Sequence, residues 1–278
     1  MADKLASVQA LRQAMIAAKI DAYLIPRGDA FSGEEVQPAD ERLAWLTGFT
    51  GSAGIAIVTM DAAILFSDGR YTIQMQNETN SDWQCKVMPD AKLSDWIAAH
   101  LPGKRVGFDP MLMTMAGHDQ LQSALEDKNI TLIAIAGNLI DQIWPDRPAP
   151  HISAPWDVAA RHHGQPRAEK IKLAADAMRD IGVDQMLICD PAELAWLLNI
   201  RAADLSHTPV MLAFAILSED QIVTIFYDGG EDMTIDQSQI RIMPRSDMMA
   251  YLNTGQGKTF WLDPAQTPMA MADALTVS

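Results

Sequence analysis

The sequence predicts an α/β protein of two duplicated domains, each a mixed β-sheet flanked by helices. Three observations carry that expectation. A helical period followed by a short apolar strand opens the chain ("LASVQALRQAMIAAKI", then "DAYLIP") and returns in the second half ("AEKIKLAADAMRDIGV", then "DQMLICD"). "ERLAWLTGF" is answered by "AELAWLLNI", with Trp45 opposite Trp196, and each is followed by an apolar hairpin ending in Asp-Gly, at Asp68 and at Asp228. Farther on, "KVMPDAKLSDWIAAHL" is matched by "RIMPRSDMMAYL", and "GKRVGFDP" by "GKTFWLDP".

Taken in order, Leu5, Val8, Leu11, Met15 and Ile16 share one helical face, and the strand after them stops at Pro26. In the second copy Ile171, Ala174, Ala175 and Met178 form the equivalent face. Each copy then reads helix, strand, short helix, hairpin, strand, helix, strand. The first copy ends on the apolar run "NITLIAIAG". By the spacing of Asp109 and Asp263, Ser278 corresponds to residue 124, so the second copy stops before its equivalent last strand. A sheet short of one strand exposes an unpaired edge, and the expectation is an N-terminal piece of a longer protein.

The copies are not in constant register. Asp21 and Asp184 lie 163 positions apart and Trp45 and Trp196 only 151, so the first copy carries 12 extra residues, approximately "RGDAFSGEEVQP". Loops added to a rigid scaffold commonly carry function, although chains also tolerate surface insertions at little entropic cost. A Pro-rich linker from about residue 138, with Pro145, Pro148, Pro150, Pro155 and Pro166, joins the copies. The expected domains are 1–155 and 156–278.

A formal charge of −15 and the lack of a basic stripe interleaved with aromatics argue against nucleic acid. No apolar run is long enough to cross a bilayer and the N-terminus lacks a signal-peptide core, so no membrane is expected and a cytoplasmic location is the default. Cys85 and Cys189 sit in separate apolar strands and read as small buried hydrophobes.

Gly48, Gly51 and Gly54 fit neither phosphate-loop spacing, and they follow a helix and precede a strand, the reverse of a phosphate loop. Ser52 misses the nucleophile-elbow pattern by one position. Gly48 is expected to end a helix in the left-handed region, with Gly51 and Gly54 shaping the turn into the sheet. The acids of "DGGEDMTID" lack calcium-loop spacing, and the six histidines show no zinc spacing. Met111, Met113 and Met115 read as helix-start packing rather than a soft-metal site. Arg70 in "SDGRYTIQ" pairs either with a ligand carboxylate or with Asp68, and local sequence leaves both open.

"ERLAWLTGFTGSAGIAIV", "SDGRYTIQ", "NLIDQIWPDRP", "EKIKLAADAMRDIGVD" and "DPAELAWLLNIRAADLSHTPV" together resemble the long, three-domain form of aminopeptidase P, the Xaa-Pro aminopeptidases. The likeness spans essentially the whole chain. It implies two creatinase N-terminal-like domains, followed in that family by a catalytic domain that removes the residue before a penultimate proline. There, two divalent ions, usually manganese, are held by two aspartates, a histidine and two glutamates. Those motifs are absent from this sequence, so no cofactor and no catalytic or metal-ligand residue is expected here, and the piece alone should be inactive. The implied partners are its own catalytic domain, peptides with proline at the second position, and a second copy in a homodimer. Glu34 is the best match for an insertion carboxylate facing that domain, since Gly28, Asp29, Ala30 and Glu34 follow the family motif while Phe31, Gly33 and Glu35 depart from it. Asp68, Arg70, Arg201, Asp204 and His207 match family positions as entrance-lining or interdomain residues; Ala202 and Thr208 depart. The alternatives are a stand-alone binding or oligomerisation module, and an enzyme with its own site around Glu34, Asp68 and Arg70.

Overall fold

The computed structural model describes residues 2–229, 234–255 and 257–276. Glu231 and Asp232 of the acidic hairpin exit lie outside the described residues, as does Ser278. The chain forms two compact units. The first holds Met1–Ala30 and Pro38–Ala149; the second holds Phe31–Gln37 and Pro150–Ser278. Most of the inserted loop of the first copy therefore belongs to the second unit.

The first unit runs α1 (Ala2–Ala17), β1 (Ala22–Pro26), α2 (Arg42–Thr47), β2 (Ile55–Thr59), β3 (Ala63–Asp68), α3 (Thr72–Glu78), β4 (Gln84–Met88), α4 (Leu93–His100), β5 (Arg105–Phe108), α5 (Met115–Leu125), β6 (Thr131–Ala134) and α6 (Leu139–Ile143). Its six-stranded sheet has the order β4-β3-β2-β1-β5-β6, and β2 alone runs against the others. Strand side chains alternate between faces. Tyr23, Ile25, Ala56, Val58 and Leu65 therefore pack on one side with Val8, Leu11 and Met15 of α1, Leu43 of α2 and Ile140 of α6. Leu24, Ile57, Ile64 and Phe66 pack on the other with Ile97 of α4 and Leu121 and Leu125 of α5.

The second unit repeats this scheme: β7 (Trp156–Asp157), α7 (Arg167–Ile181), β8 (Gln185–Ile188), α8 (Pro191–Leu198), β9 (Ile200–Arg201), β10 (Phe214–Ser218), β11 (Val223–Phe226), β12 (Ile240–Met243), α9 (Met248–Asn253), β13 (Phe260–Trp261) and α10 (Met269–Thr276). Its main sheet, β12-β11-β10-β8-β13, reproduces the first five positions of the other, again with only the third strand reversed. Among the described residues β13 is an edge strand, at the place where the first sheet continues into β6.

Duplicated residues perform duplicated work. Asp21 accepts a hydrogen bond from the Arg105 backbone N–H (2.8 Å) and Asp184 from that of Thr259 (2.6 Å), each fixing the start of the parallel pair that follows. Asp109 and Asp263 each accept from the backbone two residues on, at 2.8 and 2.9 Å. The helix of each Leu-Ala-Trp-Leu segment ends in a left-handed residue, Gly48 at φ 91° and Asn199 at φ 53°. Asparagine is the side chain best suited to that region after glycine. Gly51 is required for a different reason, because a Cβ there would stand 2.2 Å from the Phe49 ring.

The linker motif closes the first unit. Asp141 accepts a two-pronged pair from Arg42 (2.7 and 3.0 Å) and a third bond from Arg147 (2.8 Å), while Asp40 accepts from Arg42 at 2.8 Å. Trp144 stacks on Trp45 with ring centroids 5.3 Å apart. Cys189 is buried, and loss of hydration pushes its thiol up to about 12; Cys85 is half-buried, and neither forms a disulfide.

Candidate functional site

The insertion and the "RAADLSHTP" stretch meet within the second unit. A Gly/Pro-punctuated segment has few local partners, so its polar groups must find distant ones or stay in water. Phe31 is buried in a stack on Phe214 of β10, with centroids 4.6 Å apart, and the Arg245 guanidinium lies over both rings at 4.6 and 5.5 Å. The Gln37 amide donates to the carbonyls of His151 (2.6 Å) and Asp204 (3.0 Å) and accepts from the His151 N–H (2.9 Å), replacing the strand partner that an isolated loop lacks. Glu35 accepts from the His207 backbone (3.1 Å) and from the Thr208 hydroxyl (2.9 Å), and its carboxylate stands 3.3 Å from His207 Nδ1.

Asp204 organises the centre of this region. It is buried, and its carboxylate accepts from the Ser153 N–H and hydroxyl (2.9 and 2.8 Å), from the Leu212 N–H (2.8 Å) and from the Tyr227 hydroxyl (3.0 Å). Burial and the Asp204 charge together push the Tyr227 phenol above its ordinary range, so Tyr227 remains a donor at physiological pH.

Glu35 carries a signature that can be read in solution. Desolvation works against its ionised form, but the bonds from Thr208 and His207 outweigh it and hold the carboxyl below its usual range. A depressed folded-state pKa contributes stability above the ordinary value of about 4.3, lost as pH falls through the folded pKa. The His207 amide resonance is therefore expected to titrate with a midpoint below that value and to lose the transition in Glu35→Gln. A midpoint at or above the ordinary value would show that the contact is not formed.

Of the residues expected from sequence, Asp204 and His207 come together here with Glu34's neighbour Glu35, whereas Glu34 itself is exposed. Asp68 and Arg70 stand in the first unit, where Arg70 grips Asp68 at 2.8 and 3.0 Å on the surface. Arg201 lies on β9, its guanidinium donating to the carbonyls of Ala195 and Ile200, both at 2.8 Å. Sequence reasoning missed Phe31, Glu35, Gln37, Ser153, Tyr227 and Arg245. Only the placement of three of them on the insertion offered a signal.

The chemistry of this arrangement is structural recognition. Both its carboxylates are occupied by protein donors. Among the described residues no group of three or more His, Cys, Asp or Glu side chains could hold a metal ion.

Two stretches, residues 8–143 and 146–278, each match the sequence profile of the Creatinase/Prolidase N-terminal domain. The chain belongs to the creatinase/prolidase N-terminal domain family. Two such domains in tandem account for the internal duplication. Among relatives of this creatinase-type pair, Xaa-Pro aminopeptidase 1 of Dictyostelium discoideum is 31% identical over 98% of this chain and 46% of its own length. Aminopeptidase P2 of Arabidopsis thaliana is 34% identical over 91% of this chain and 37% of its own. The X-prolyl aminopeptidase of Caenorhabditis elegans, described as a cytosolic enzyme with a di-nuclear active site, shares the fold with a TM-score of 0.90 at 24% identity, covering 98% of this chain and 48% of that one. The chain thus spans about half the length, or less, of the relatives it matches. No helix among the described residues is long and apolar enough to cross a membrane.

Proposed function

We propose that this chain is the non-catalytic N-terminal region of a metal-dependent Xaa-Pro aminopeptidase, shaping the entrance to an active site carried by another part of the protein and supporting assembly. The observation that carries the reading is the chain-long match to Xaa-Pro aminopeptidases about twice its length, with two creatinase-type domains filling it. In this reading the parent enzyme is cytoplasmic and dimeric, and it removes the residue preceding a penultimate proline. Its two divalent ions, manganese, are held outside these domains. Glu34, Arg201, Asp204 and His207 act through shape and charge at the entrance, and Asp204 acts by holding the "RAADLSHTP" backbone in place. Asp68 and Arg70, paired with each other on the surface of the first unit, act in the same entrance-lining or interdomain way.

Reading the coding sequence past residue 278 tests this proposal. The expected result is an open frame encoding a further domain with two aspartates, a histidine and two glutamates as metal ligands. A frame that stops without them would instead make this pair of domains a self-contained binding or oligomerisation module.

A further inference from the structure

A cavity of about 640 Å³ in the second unit is lined by His162, His163, Lys170, Trp196, Asn199 and Arg201 among others; the reading above uses Arg201 but assigns the cavity no ligand. Its size is that of an ordinary small-ligand pocket. Two cations line it, neither of them in an ion pair among the described residues. Lys170 is buried, and its ammonium donates to the Trp196 carbonyl and the Asn199 side-chain oxygen, both at 2.6 Å, while lying 4.5 Å from the centroid of the Trp196 ring. All its partners are neutral. Arg201 spends one nitrogen, Nη1, on the carbonyls of Ala195 and Ile200; its Nε and Nη2 have no acceptor among the described residues. Neither cation has a carboxylate within ion-pair distance among the described residues. Loss of hydration, and then the charge of Arg201, lowers the Lys170 pKa, as expected of two like charges sharing one site.

Two further observations point to a ligand. His163 lines the same cavity, and its Nδ1 atom is buried with no hydrogen-bond partner among the described residues. A buried polar atom of this kind is expensive unless something satisfies it. Trp196, with its ring occupied by Lys170, is still 56% exposed, far beyond what an indole in a core would show. Glu169 also lines the cavity and limits how much negative charge the site can accept.

We propose that this cavity is an anion site that binds a single carboxylate, received by the free Nε–Nη2 edge of Arg201 with His163 beside it and an apolar or planar group lying against Trp196. A guanidinium edge and a carboxylate match as two parallel hydrogen bonds. The Lys170 charge behind Trp196 supplies a fixed positive potential without itself touching the ligand. The carboxylate belongs either to a free aromatic acid or to an aspartate side chain of another polypeptide, and both present the same group.

The test uses the 278-residue chain labelled with nitrogen-15, the Trp196 indole resonance being assigned from Trp196→Phe. It is titrated at constant ionic strength with benzoate, with the neutral isostere benzamide, and with N-acetyl-aspartate amide. Saturable movement of the Trp196 resonance with a carboxylate, and none with benzamide, is the expected result. Tighter binding of benzoate assigns the site to a small aromatic acid, and tighter binding of the capped aspartate assigns it to a protein side chain. Arg201→Gln should weaken the better ligand at least tenfold, and Arg201→Lys, which keeps the charge but loses the fork, should fall between. Equal responses to benzoate and benzamide in the unaltered chain, or no response to either carboxylate, would overturn the proposal whether or not the Arg201 variants fold.

Discussion

Replacing Asp204 by alanine is expected to destabilise the second unit by about 3–5 kcal/mol. The carboxylate accepts from two backbone N–H groups and two hydroxyls in a buried setting, with no ion pair among the described residues. Truncation leaves the Ser153 and Leu212 N–H groups without water or partner, and an unmade buried bond is worse than one never designed in. The urea midpoint should fall by roughly 2 M with little change in slope. Asp204→Asn should recover part of this, since the amide keeps one accepting oxygen but turns an N–H toward another donor. Tyr227→Phe should lose only about 1 kcal/mol. Combined with Asp204→Ala it should be clearly less than additive, because the two share one bond. Full additivity would mean that the cluster is not the unit described.

Arg42→Met is expected to have a similar effect in the first unit, again about 3–5 kcal/mol. Arg42 is buried, and its fork joins Asp141 while its third nitrogen reaches Asp40. Burial works against its charge, but the Asp141 bond and the charges of Asp141 and Asp40 outweigh that and raise its pKa further. Without Arg42, two carboxylates share Arg147 alone. Arg42→Lys should rescue little, because an ammonium cannot reproduce the two parallel bonds. Adding Asp141→Asn to Arg42→Met should recover a measurable part of the loss by removing the stranded charge. The near-ultraviolet circular dichroism of the Trp45–Trp144 stack is a convenient local readout, and an unchanged melting curve in Arg42→Met would contradict this account.

These two residues also show how the fold can and cannot be read from sequence. The duplication was legible because both copies keep the same residue types for the same work: Asp21 and Asp184 each hold a strand pair, with partners 84 and 75 positions on, and each Leu-Ala-Trp-Leu segment forms the same short helix. The linker motif was visible as a motif, but its reason was not, since Asp141 and Arg147 act on residues about a hundred positions away. The Gly48–Asn199 equivalence was hidden because two residue types meet one backbone demand.

The site was less legible for the same physical cause. The 12-residue offset marked the insertion, and the family resemblance marked Asp204 and His207, yet their meeting is made by Glu35, Gln37 and Phe31. Two of these, Phe31 and Glu35, depart from the family motif. Their partners lie more than a hundred residues downstream, a separation that no local pattern encodes. The Lys170–Trp196–Arg201 pocket was missed because Trp196 reads as the copy of Trp45. Only the structure shows that Trp45 stacks on a second indole and Trp196 on an ammonium.

The most direct test of the central claim is hydrolysis by the 278-residue chain itself. A tripeptide with proline in second position is incubated with the purified chain and manganese, and release of the N-terminal residue is followed. The account predicts no release above the peptide-only control. Turnover that scales with protein concentration and disappears in Arg70→Ala would place a catalytic site within these two domains and contradict it.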